Sequence, residues 1–118
     1  MNTAEERLKR ELNRCVTILI EKYKPERILI FGSLASGEVK EDSDIDMIVI
    51  KSTSKPFLKR IEEVLRILKP QEAFDILVYT PEEFRRLSET RLFFKKESLP
   101  KAKEIYNARR SKGMAEIR

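Results

Sequence analysis

Apolar positions along this chain change period several times, and each change marks an element. Leu8, Leu12, Cys15, Val16, Leu19 and Tyr23 recur every three or four residues, the spacing of one buried helix face. Thr3-Ala4-Glu5-Glu6 supplies a capping box at the start of that helix, and Pro25 ends it. Arg27 to Phe31 is a continuous apolar run, predicted as a strand covered on both faces. Gly32-Ser33 breaks the run. Leu34-Ala35-Ser36 predicts a short helical turn stopped by Gly37, and residues 38–43 a polar loop. Asp44 to Lys51 reads as a second strand.

Ser52-Thr53-Ser54 is a polar break, with Ser54 expected to cap a helix that carries Pro56 in its first turn. Phe57, Leu58, Ile61, Val64, Leu65 and Leu68 predict one apolar side for that helix, and Pro70 follows its end. Ala73 to Tyr79 is a third apolar run, interrupted only by Asp75. Thr80-Pro81-Glu82-Glu83 is another capping box, with proline at the first helical position. Phe84, Leu87, Leu92, Phe93 and Phe94 predict one or two short helices, and Ile105-Tyr106 a short final strand. From Ala108 onward a polar, partly disordered tail is expected. The loop between the first two strands is too short for a crossover helix, so they are expected to be antiparallel neighbours. The fold class is α/β (α+β): one domain over residues 1–107, a mixed sheet of three to four strands with helices packed on it, then the tail 108–118.

Composition narrows the chemistry. Charged residues make up 38% of the 118, above the roughly 25% of ordinary soluble domains. The net charge of +5 comes from 25 bases mixed with 20 acids, which describes a solvated surface better than a nucleic-acid footprint. No histidine is present, which removes histidine-assisted nucleophiles and the usual zinc sites. The single cysteine, Cys15, allows no internal disulfide and is expected in the core. No signal peptide or membrane span is evident, so a cytoplasmic location is expected. Amides are limited to Asn2, Asn13, Gln71 and Asn107 against abundant Lys, Arg and Glu, a composition of heat-adapted proteins.

The acids divide by type. Sixteen are glutamates, mostly in helical, solvated stretches; only Asp42, Asp44, Asp46 and Asp75 are aspartates. Three of these four lie at or inside apolar strands, where a short carboxylate on a rigid element can hold an ion in defined geometry. Strand side chains alternate faces, so Asp44 and Asp46 point the same way at the mouth of Met47-Ile48-Val49-Ile50. Two like charges that close repel unless something positive intervenes, and Mg²⁺, a hard ion that takes carboxylate and phosphate oxygens, is the natural partner. Singly, a Gly-Ser turn, an Asp-x-Asp pair or one strand aspartate is common in structural roles. It is their order along the chain that carries information. Ser43 and Lys40 are read as turn and solvated-loop residues, and Tyr79 and Tyr106 as core aromatics before base-stacking ones.

Gly32-Ser33, ten residues, then Asp44-Ile45-Asp46, with Asp75 on a later strand, resembles the signature of the DNA polymerase beta-like nucleotidyltransferase superfamily. The size is similar to its minimal nucleotidyltransferase (MNT) group, often encoded beside a HEPN-domain protein. The resemblance implies Asp44, Asp46 and Asp75 as catalytic and metal-binding residues holding two Mg²⁺ ions, and Gly32 and Ser33 as nucleotide-binding. It implies transfer of a nucleotide, AMP from ATP, to a hydroxyl, with a tyrosine of a HEPN toxin as acceptor and an antitoxin role. One departure is Ser36, which stands where many members carry arginine in the turn after Gly-Ser. It keeps open a non-catalytic antitoxin that blocks its partner by contact. A transferase acting on RNA or a small molecule is a third reading. Nucleic acid is not required as a partner and no membrane is implied. A strand edge or Phe93-Phe94 offers a surface for association.

Overall fold

The computed structural model describes residues 3–90 and 102–110. Helix α1 spans Ala4–Ile18 and runs on into a π-helical turn, Leu19–Tyr23. Thr3 and Glu6 form the expected reciprocal cap. Strand β1 is Arg27–Phe31, followed by a single turn, α2 (Ser33–Ser36), and strand β2 (Ile45–Ile50). Helix α3 (Phe57–Leu68) carries the chain back so that β3 (Phe74–Tyr79) runs parallel to β2, the crossover a parallel pair demands. Helix α4 (Pro81–Ser88) starts at the second capping box, on Thr80 and Glu83. Strand β4 (Lys103–Asn107) completes a four-stranded sheet in the order β3-β2-β1-β4. β1 is antiparallel to both neighbours, as expected for the β1–β2 pair. Leu92, Phe93 and Phe94 and the tail beyond residue 110 lie outside the described residues. Among the described residues no helix is long and apolar enough to cross a membrane.

The sheet separates two apolar layers. Ile28, Ile30, Ile45, Met47, Val49, Ile76 and Val78 pack with Leu8, Leu12, Cys15, Leu19, Val64 and Leu68 from α1, the π-turn and α3. On the other face Leu29, Ile48 and Ile50 meet Phe84 of α4. Ten fully buried Leu, Ile and Val side chains among the described residues, at about 1.5–3 kcal/mol each, carry most of the stabilisation. Cys15 is buried as expected, and burial pushes its thiol up to about 11.

Two expectations for α3 are corrected. Ser54 does not cap it: Pro56 is the N-cap residue, its ψ of 154° keeps it outside the helix, and its carbonyl accepts from Lys59 and Arg60 N–H. Leu58 and Leu65 lie on the outer side, Leu58 71% exposed, because the true stripe is narrower and runs through Phe57, Ile61, Val64 and Leu68. Its remaining place is taken by Arg60, which is 6% exposed. The guanidinium donates to the carbonyls of Lys55 (2.7 Å) and Val78 (3.1 Å) and to both oxygens of Glu83 (2.7 and 3.2 Å). That fork joins α3, β3 and the cap of α4. Arg60→Ala is expected to destabilise the fold by about 2–3 kcal/mol, less than for a fully buried pair because Glu83 reaches water. Urea unfolding followed by circular dichroism measures it.

Candidate metal and nucleotide site

The site forms where β1 ends and β2 and β3 begin. Register makes it: Asp46 lies opposite Phe31 on one side and Asp75 on the other. Ile45 and Met47, the neighbours of Asp46, point into the first layer, so Asp46 projects from the opposite face. Ile76 does the same for Asp75. Asp44 sits immediately before β2. One oxygen from each of Asp44, Asp46 and Asp75 lies within 4.8 Å of the others, with Asp44 and Asp46 half-buried and Asp75 exposed. The three predicted acids are thus brought together.

At that separation each pair of ionised carboxylates repels by between about 1 kcal/mol with water between them and about 3 kcal/mol at an effective dielectric near 20. Among the described residues no lysine or arginine pairs with any of the three. Burial first, then the charges of Asp44 and Asp75, push the Asp46 carboxyl up to about 6. A hard, oxygen-seeking cation fits this donor set, because it removes the repulsion that proton uptake at Asp46 otherwise relieves.

Gly32 has a second reason to be glycine. Its φ of 73° with ψ of −148° is a conformation that side chains do not adopt. A Cβ there would also stand 2.3 Å from Asp46 Oδ2 and 3.3 Å from its Cγ. Gly32 therefore makes room for the central carboxylate, a contact the sequence alone does not reveal. Ser33 opens α2 and is half-buried; its carbonyl accepts from Gly37 N–H and from the Ser36 hydroxyl. Ser36 thus closes its own turn. Ser43 Oγ accepts from Lys40 N–H at 2.8 Å while Ser43 N–H donates to the Lys40 carbonyl, the turn role expected. Tyr79 and Tyr106 stand at the far end of the sheet: Tyr79 packs between Phe57 and Phe84, and Tyr106 against the first layer.

Comparison with known proteins bears on the family and the fold. The family model described as Polymerase beta, Nucleotidyltransferase matches residues 13–111. Two relatives from Methanocaldococcus jannaschii, each named "Putative protein adenylyltransferase", are 45% identical over 62 residues and 33% identical over 60. These matches span 52% and 50% of this chain and 62% and 60% of the relatives, so the chain covers less than two thirds of their length. In fold it is similar to a crystal structure from Sulfolobus solfataricus titled as a putative nucleotidyltransferase, with a TM-score of 0.59, 23% identity, and 70% of this chain and 76% of that one covered. A second fold neighbour is titled a toxin-antitoxin with AMP-PNP: TM-score 0.51, 18% identity, and 86% of this chain and 77% of that one covered.

The electrostatics yield a signed expectation. Folding raises the Asp46 pKa from 3.8 to about 6. Its contribution to stability is therefore fully present below about pH 4 and is lost as pH rises through about 6. In chelator at pH 7.5, Asp46→Asn should raise Tm by about 4 °C, a figure discounted for the water that reaches the site. At pH 4.5 the gain should shrink towards zero. Differential scanning fluorimetry across that range reads both.

Proposed function

The chain belongs to the Polymerase beta, Nucleotidyltransferase family, and from that premise we propose that it transfers AMP from ATP to a protein hydroxyl, a tyrosine of a HEPN-domain toxin, and so acts as an antitoxin. The observation that carries this reading is the convergence of Asp44, Asp46 and Asp75 beside the Gly32-Ser33 turn. The relatives' names as protein adenylyltransferases and the toxin-antitoxin neighbour support the substrate class and the partner. The HEPN identity and the tyrosine rest on the resemblance of the motif and chain size to MNT proteins.

Asp44, Asp46 and Asp75 are the residues that would hold Mg²⁺, two ions being the number expected, and bound there Mg²⁺ supplies neutralisation of the triphosphate and activation of the acceptor hydroxyl. The chain's own work is positional. Asp46, wedged against Gly32, and Asp44 beside it are fixed by a strand whose alternate residues are anchored in the first layer. Asp75 is the exposed member of the three, and in this reading it is the carboxylate on the acceptor side. Gly32 lets phosphate approach the backbone, and Ser33 offers a hydroxyl and an N–H to it. The acceptor oxygen attacks the α-phosphorus, the bond to the bridging oxygen of pyrophosphate breaks, and the hydroxyl proton is released. Histidine is not needed, because catalysis here is positioning and charge stabilisation.

Ser36 favours one alternative, an antitoxin acting by contact alone, since its hydroxyl is spent on the Ser33 carbonyl and the turn Ser33–Gly37 carries no arginine to offer a triphosphate. Incubating the protein and its genomic neighbour with Mg²⁺ and ATP, then weighing both, separates the readings. The neighbour should gain one or more AMP units, and Asp44→Asn or Asp46→Asn should slow the gain at least about a hundredfold. No mass gain in wild type, with full toxin neutralisation by both variants, would establish the contact mechanism instead.

A further inference from the structure

Asp75 is the least secured member of the carboxylate cluster. β3 is an edge strand held by β2 on one side only, and Asp75 is its second residue. Beyond its pairing with β2, its position depends on the connection that delivers the strand, residues 69–73. That connection has little apolar anchorage: Lys69, Gln71 and Ala73 are exposed. What holds it is polar, and comes from α1. Arg7, Glu11 and Arg14 are spaced i, i+4, i+7 along one side of that helix. Arg14 Nη2 donates to the carbonyls of Leu68 (3.1 Å) and Lys69 (3.2 Å). Glu11 Oε2 accepts from Gln71 N–H at 2.6 Å. Arg7 Nε donates to Glu72 Oε1 at 3.1 Å, and its Nη1 lies 3.7 Å from Glu41. The Ala73 carbonyl then accepts from Ile45 N–H at 2.9 Å, joining the connection to the start of β2.

These grips differ in strength. Glu41 is 85% exposed, so its pair with Arg7 contributes little. Glu11 is 5% exposed, takes two hydrogen bonds from Arg14 (2.8 and 3.0 Å), and is the acid through which the row reaches the backbone of residue 71. A buried, bidentate, charge-assisted pair fixes orientation as well as contributing energy. Arg14 is shared between the helix and the connection, so the three form one unit. A solvated helix surface needs no such arrangement, and Glu11 is the one glutamate among the described residues that is fully withdrawn from water.

We propose that this α1 row is the mount of Asp75, with Glu11 a positioning residue that fixes the third carboxylate relative to Asp44 and Asp46 through the Gln71–Ala73 connection. The proposal rests on the reading of the three acids as a metal site. It assigns a functional task to a helix that lies on the opposite face of the sheet from that site. It also places the control of acceptor-side geometry in residues that touch neither nucleotide nor ion. Glu11→Gln keeps the shape and an acceptor for Gln71 N–H but loses the charge that holds Arg14.

The test is a double-mutant cycle on Mn²⁺ binding by the full chain, read by electron paramagnetic resonance. Asp75→Asn, Glu11→Gln and the double variant are compared with wild type, and circular dichroism confirms that each is folded. Glu11→Gln should weaken Mn²⁺ about tenfold in the wild-type background, the lower range for residues that orient ligands, and leave it unchanged in the Asp75→Asn background. An equal loss in both backgrounds, or no loss in either, overturns the mount. If wild type binds no Mn²⁺, the metal reading falls and amide exchange at Phe74–Ile76 judges the mount alone. Faster exchange there in Glu11→Gln supports the tether, and unchanged exchange ends it. Should Glu11→Gln fail to fold, Arg14→Lys goes through the same cycle with the same criteria.

Discussion

Repulsion between three carboxylates is the constraint around which this fold is arranged. It acts at the end of a sheet whose register puts Asp46 beside Asp75 and whose β1–β2 turn puts Gly32 against Asp46. A few kcal/mol of repulsion is affordable only because the strands are anchored on their other face. Ile45, Met47, Val49, Ile76 and Val78 alternate with the site residues and are buried among α1 and α3. Each such side chain contributes about 1.5–3 kcal/mol, so two or three of them outweigh the cluster. Sliding β3 by one residue would turn Asp75 into the apolar layer and Ile76 out to solvent, so the core that stabilises the sheet also fixes the site.

The parallel pairing of β2 and β3 is the other necessity. An antiparallel hairpin would carry Asp75 away from the start of β2 unless it lay at the other end of its strand. Helix α3 makes the parallel arrangement possible, and Arg60 pins its far end to β3 and α4 through the Val78 carbonyl and Glu83. The two ends of the β2–α3–β3 unit are thus held differently. At the far end stand Arg60 and the packed rings of Phe57, Tyr79 and Phe84; at the site end stand the charged residues of α1.

Much of this was legible along the chain because it is local. Both capping boxes, the first three strands and the antiparallel β1–β2 pair follow from neighbours in sequence. The Gly-Ser and Asp-x-Asp spacing was legible too, since a short turn joins the two strands that carry it. What was not legible depends on partners far away. Arg60 reads as a solvated helix residue until Glu83, twenty-three positions on, is placed beside it. Glu11 reads as one more helix glutamate until Gln71 arrives. Leu58 and Leu65 widened the apparent stripe of α3 because periodicity cannot say how wide a groove the sheet offers. Ser54 lost the cap to geometry: Pro56 fixes its own φ and its carbonyl already serves the first turn.

Acidic clusters on protein surfaces are common, so proximity alone is a weak argument for a cation site. The comparison within this chain is stronger. Every glutamate that is buried or half-buried among the described residues has a partner: Glu5 with Lys9, Glu11 with Arg14, Glu26 with Ser52, Glu63 with Lys55, Glu72 with Arg7, Glu83 with Arg60 and Glu104 with Arg27. A sequence with 25 bases has ample means to do the same for Asp44 and Asp46, yet supplies neither with a cation among the described residues. It places glycine, the residue that contributes no charge and no bulk, directly against Asp46 instead. A chain that gives a cation to every other withdrawn acid among the described residues except Glu26, which Ser52 satisfies by hydrogen bonds, and leaves these uncompensated where two strands and a tight turn meet, has left the neutralising charge to be brought from outside.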